Sequence, residues 1–127
     1  MYRKSITILL ISSCLIVSGC GDSHEKVMRS SIAEMKNMLG VLEGISTAED
    51  AKKAKSKLEN IGKRMKSLEA RAKKLGEPSK ELEAKLKEKY EGQLNELMPK
   101  MMKVMFGMKP EVAAELQTVM QDMPNMN

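Results

Sequence analysis

Beyond the first twenty residues, hydrophobic positions recur at three- and four-residue intervals, the spacing of a helix face rather than the alternation of a strand. Met28, Ile32, Met35, Leu39 and Leu42 form the first stripe, which runs to about Gly44, with Gly40 weakening it from within. Asp22-Ser23-His24-Glu25 sets an N-cap residue three positions before a glutamate, the spacing of a capping box, and starts this helix close to residue 22. The second stripe is longer: Ala51, Ala54, Leu58, Ile61, Met65, Leu68, Ala72 and Leu75 alternate by three and four without a miss, a heptad seam of the coiled-coil type. Ser46-Thr47-Ala48-Glu49 supplies its capping box, Gly76 its stop, and Pro78 suits the first turn of the next helix. A turn this short predicts an antiparallel hairpin.

The third helix carries Leu82, Leu86, Tyr90, Leu94 and Leu97 on its inner face. Pro99 has no N–H and its ring clashes with the preceding turn, so a kink or restart is expected there. Lys100 to Met108 continues as a short helix with Gly107 loosening its end. Pro110 opens the last helix, to about Asp122, with Val112, Leu116, Val119, Met120 and Met123 on one side; residues 123–127 are expected to fray. Two all-α architectures bury these stripes. One is an elongated antiparallel three-helix bundle with a short fourth helix at the C-terminus; the other is a long helical hairpin whose 51–75 seam pairs with a second copy. Composition agrees with helices: 2% of residues are aromatic, none is tryptophan, and 31% are charged.

The first twenty residues follow a different rule. Met1 to Lys4 is a basic start, Ile6 to Val17 is an almost unbroken apolar run, and Val17-Ser18-Gly19-Cys20 places small residues before a cysteine. The run is shorter than the about 20 residues a spanning helix needs. This segment resembles the lipobox signal of bacterial lipoproteins, a resemblance limited to residues 1–20. It implies a diacylglyceryl group on the Cys20 sulfur, cleavage of residues 1–19 and an acylated new amino terminus, with no other cofactor. The chain then divides into that signal and a single helical domain over 20–127, with 20–23 a short tether. Anchoring implies the cell envelope. Gly21 rather than an aspartate follows the cysteine, which points to the periplasmic face of an outer membrane if one is present, and otherwise to the outer face of the plasma membrane. The only other cysteine, Cys14, leaves with the signal, so no disulfide staples the domain.

Little else suggests chemistry. His24 is the single histidine, too few for a zinc site, and no nucleophile elbow, metalloprotease helix, phosphate loop or calcium loop is present. The expectation is therefore no catalytic activity and no assigned metal site. Removing Arg3 and Lys4 with the signal lowers the net charge from +5 to +3, too mild to call for nucleic acid.

Two surfaces stand out. Met98, Met101, Met102, Met105 and Met108 crowd into eleven positions, and with Val104 and Phe106 they cover more of the helix than a one-sided face requires. Methionine there fills a core, offers an adaptable partner surface, or supplies thioethers to Cu(I). Between Ala51 and Leu75 the second helix carries Lys52, Lys53, Lys55, Lys57, Lys63, Arg64, Lys66, Arg71, Lys73 and Lys74 against Glu59 and Glu69 alone. That is a solubilising face balanced by Glu81, Glu83, Glu88 and Glu91 of the third helix, or a surface for anionic lipid headgroups or a cell-wall polymer. The reading these features support is a lipid-anchored envelope protein for interaction or scaffolding, with an unidentified protein partner. The alternatives are a Cu(I)-handling lipoprotein and a periplasmic chaperone-like module.

Overall fold

The computed structural model describes residues 23–121, which form four α-helices and, among the described residues, no strand. They are α1 (His24–Glu43), α2 (Ala48–Leu75), α3 (Lys80–Phe106) and α4 (Pro110–Gln121). The fold is all-α. Cys20 and the signal before it, the expected tether up to Asp22, and the expected tail with Met123 lie outside the described residues.

The first two helix starts fall one residue later than the sequence spacing predicts, and the last opens at Pro110 as expected. Ser23 rather than Asp22 caps α1, accepting from the Lys26 N–H at 3.2 Å. Thr47 rather than Ser46 caps α2: its hydroxyl accepts from the Asp50 N–H at 3.1 Å, and the Asp50 carboxylate accepts from the Ser46 and Thr47 N–H groups at 3.1 and 3.2 Å. Those bonds hold the Asp50 carboxyl below its ordinary value, the Ser46 N–H contributing most. Ser79 caps α3, which leaves Pro78 ahead of the helix instead of in its first turn. At each of the first two starts two neighbouring residues are competent caps, and the residue that completes the better set of bonds takes the position. Gly76 ends α2 at φ 72°, a left-handed conformation in which a Cβ is strained.

The second helix buries most of its predicted seam: Ala51, Ala54, Leu58, Ile61, Met65 and Leu68 are buried, while Ala72 and Leu75 are half-buried. In α1, Ile32, Met35, Leu39 and Leu42 are buried as expected, but so are Val27 and Met38. Those two widen the buried arc from about 80° to about 140°, more than one neighbouring helix covers. Accordingly α1 packs against both α2 and α3, and α4 packs against α2. The short Gly76–Ser79 turn joins α2 and α3 without a close backbone approach between them, and each packs on α1.

Inter-helix contacts give the directions. Arg64 meets Glu34, and residues 40–45 share a groove with 50–57, so α1 is antiparallel to α2. Glu25 meets Lys89 and Tyr90, while Glu43 lies across from Lys100, so α1 is parallel to α3. Glu115 meets Lys52 and Lys55, and Val119 lies beside Gly62 and Lys66, so α4 is parallel to α2. Within the chain these neighbours fill the seam from Ala51 to Met65.

Pro99 does not restart the helix: α3 runs unbroken from Lys80 to Phe106 with the proline inside it. Proline leaves the carbonyl four residues back, at Asn95, without its intrahelical donor. Asn95 and Pro99 are both exposed, so water is at hand to replace that bond. In α4, Val112, Leu116 and Val119 are buried, whereas Met120, expected on the same side, is exposed.

Candidate functional site

The methionine cluster is divided by the fold. Leu97 and Met101 are buried, and Val104 and Met108 are half-buried against the core. At about 100° per residue Leu97, Met101 and Val104 occupy a narrow inward arc, and Met108 lies just past the helix end. Met98, Met102, Met105 and Phe106 occupy another arc, about 100° wide, and point outward. Their exposures are 37%, 52%, 41% and 83%, against 3% for Met101. The backbones of α3 and α4 do not approach closely, although Val104 and Met108 share a groove with Val112 at the start of α4. Core filling therefore accounts for Met101 and Met108 and leaves Met98, Met102 and Met105 unexplained.

The same outward arc has another character one turn earlier. Lys87, Glu88, Glu91 and Asn95 occupy it there and are exposed. Charge gives way to thioether and phenyl at Met98. Lys103 and Lys100 flank the apolar stretch from other arcs; Lys100 pairs with Glu96 at 2.8 Å, which lowers the carboxyl and raises the ammonium pKa.

The basic residues of α2 spread over two sides. Lys52 and Lys55 reach Glu115 of α4 at 3.7 and 3.1 Å, and the Lys55 bond is the main cause of the lowered Glu115 pKa. Arg64 Nε donates to Glu34 Oε1 at 2.7 Å, which raises the Arg64 pKa; the other Glu34 oxygen is buried without a partner. Lys53 and Lys73 pair within the helix with Glu49 and Glu69. Arg71 is half-buried. Lys57, Lys63, Lys66 and Lys74 are exposed and make no ion pair among the described residues. Glu81, Glu83, Glu88 and Glu91 were expected to balance this helix. They do not, because α3 does not pack on α2; Glu81 pairs with Lys85 on its own helix. The balancing carboxylates come from α1 and α4 instead.

Between α1 and α2 lies an open groove of about 710 Å³, with Lys36, Lys53, Lys57 and Arg64 on its rim and Val41 and Ile61 on its floor. Gly40 opens that groove and also borders a second of about 310 Å³ toward α3. On the far side of α1, Glu25 accepts from Lys89 and from the Tyr90 hydroxyl at 3.1 Å. The Lys89 bond, then the Tyr90 bond, pull the Glu25 carboxyl below its ordinary value, and Glu25 raises the Lys89 pKa in return. Sequence reasoning assigned Glu25 to a capping box. Nothing local signals its inter-helix role, since its partners lie 64 and 65 positions away.

His24 is the first residue of α1, and among the described residues no group of three His, Cys, Asp or Glu side chains is placed to hold a metal. No helix among them is long and apolar enough to cross a membrane. Comparison of the chain with protein-family models, with curated proteins and with solved structures finds no match.

Proposed function

We propose that this chain is a lipid-anchored cell-envelope protein whose role is interaction or scaffolding, without catalysis of its own. The observation that carries the reading is the outward apolar run Met98, Met102, Met105 and Phe106. A contiguous exposed apolar face at helical spacing is the usual signature of a protein-docking surface, and methionine suits it because its thioether stem adapts to the partner. In this reading the helices form an elongated bundle tethered at Cys20. Cys20 precedes the α1 cap by three residues, a reach of at most about 10 Å. Parallel packing of α1 and α3 puts the apolar run beside the far end of α1, whose 20 residues span about 30 Å. Tether and docking face then sit at opposite ends.

The free lysines of α2, Lys57, Lys63, Lys66 and Lys74, favour a second contact in the same reading, with anionic headgroups of the anchoring membrane. Its location is the envelope, at the outer membrane's periplasmic face where such a membrane exists. The chaperone-like alternative would use the same apolar run for unfolded segments.

Two experiments test the proposal. Blocking the lipoprotein signal peptidase, or replacing Cys20→Ser, should leave a heavier or unanchored product; an unchanged mass and membrane fraction contradicts the tether. A photocrosslinker at position 106 in native membranes should yield one discrete protein adduct. No adduct, with the chain folded, contradicts the docking face; a smear of many clients favours the chaperone-like alternative.

A further inference from the structure

We propose that Met98, Met102 and Met105 form a Cu(I)-binding site on the outward face of α3. Gap filling explains Met101 and Met108, which lie against the core, but it does not explain three methionines left 37%, 52% and 41% exposed. A docking face uses the adaptable apolar stem of methionine and asks nothing of its sulfur as a donor. What methionine adds is sulfur.

The spacing suits a shared ion. Residues at i, i+4 and i+7 stand over one another on one side of a helix, with axial steps of about 6 and 4.5 Å. Methionine side chains have three rotatable bonds, so adjacent thioethers can converge across such steps without moving the backbone. All three are accessible, so no core group has to shift to admit the ion.

The donor chemistry selects the metal class. The outward arc from Met98 to Phe106 carries no carboxylate, imidazole or thiol. Hard cations such as magnesium and calcium need oxygen donors, and zinc prefers nitrogen or thiolate. Neutral soft thioethers select Cu(I). Lys103, one residue from Met102, adds repulsion that weighs more on a divalent than on a monovalent ion. Phe106, at the end of the same arc, supplies apolar cover that favours a weakly hydrated ion.

The test titrates Cu(I), under anaerobic reducing conditions, into the full chain in detergent with a chromogenic Cu(I) chelator as competitor. Ag(I), a soft and redox-stable stand-in, is followed by NMR of the methionine methyl groups. One Cu(I) per chain should be withdrawn from the chelator, and the methyl resonances of Met98, Met102 and Met105 should shift while that of Met101 stays. Replacing all three by leucine keeps the face apolar and the helix intact, and should lower Cu(I) affinity at least tenfold with unchanged helicity. No withdrawal of Cu(I), equal binding by the leucine variant, or shifts confined to other methionines overturns the site. Crosslinking from position 106 in the leucine variant reports on docking alone, so the two readings fail separately.

Discussion

The outward face of α3 has two parts that the fold treats alike and the residues do not. Both stand on the same helix above one inner stripe, Leu82, Leu86, Tyr90, Leu97 and Met101. Up to Asn95 the outward arc is Lys87, Glu88, Glu91 and Asn95; from Met98 it is methionine and phenylalanine. Helix formation and core burial require only the inner stripe. The apolar outer third lies outside the buried core, and its exposed apolar area invites association. Its presence calls for a cause outside the folded monomer.

The largest effect should separate the inner arc from the outer one. Met101→Ala should destabilise the chain by about 2 to 5 kcal/mol in urea unfolding, the cost of a cavity in a packed core, whereas Met102→Ala one position on should cost no more than about 0.5 kcal/mol. Equal losses would mean that the outer methionines are packed after all. A smaller change of opposite sign is expected on the charged part: a Cβ at Gly92 meets nothing within 4 Å, so Gly92→Ala should stabilise by about 0.5 to 1 kcal/mol. The same substitution should leave crosslinking from position 106 untouched. Met102→Glu reverses that pattern, with stability nearly unchanged and the adduct from position 106 lost.

A subtler test uses pH. Glu25 is held below its ordinary value of 4.5 by Lys89 and Tyr90, so its contribution to stability is full above that value and fades as pH falls through the lower folded-state value. Lys89 is raised above 10.5, so its contribution is full below that pH and fades as pH rises through the higher folded-state value. Lys89→Met should flatten both limbs in unfolding measured across pH. It should leave the methionine face unaltered, because that contact joins α1 to the charged part of α3.

The four helices were legible in the chain because one-sided burial stamps its period on the residues, and the α2 seam from Ala51 to Leu68 is buried as its spacing predicts. Less legible was which helices meet. Loop length relates neighbours in sequence, but the choice of α1 as the shared partner of α2 and α3 depends on Val27 and Met38 widening its buried arc. That choice also decided the ion pairs, giving α2 its carboxylates from Glu34 and Glu115 rather than from α3. At the candidate site, periodicity groups Met98, Met102 and Met105 on one arc and Met101 and Met108 on another. It does not say which arc faces the core, because both are apolar. Tertiary contact alone divides them.

Oxidative footprinting of the methionines tests the docking face most directly, by comparing the purified chain with the chain in its native membrane. In the purified chain Met98, Met102 and Met105 should convert rapidly to sulfoxides and Met101 slowly, following their exposure. In the membrane the three outer methionines should become protected while Met101 is unchanged. Equal oxidation of Met98, Met102 and Met105 in both settings would contradict a partner on this face.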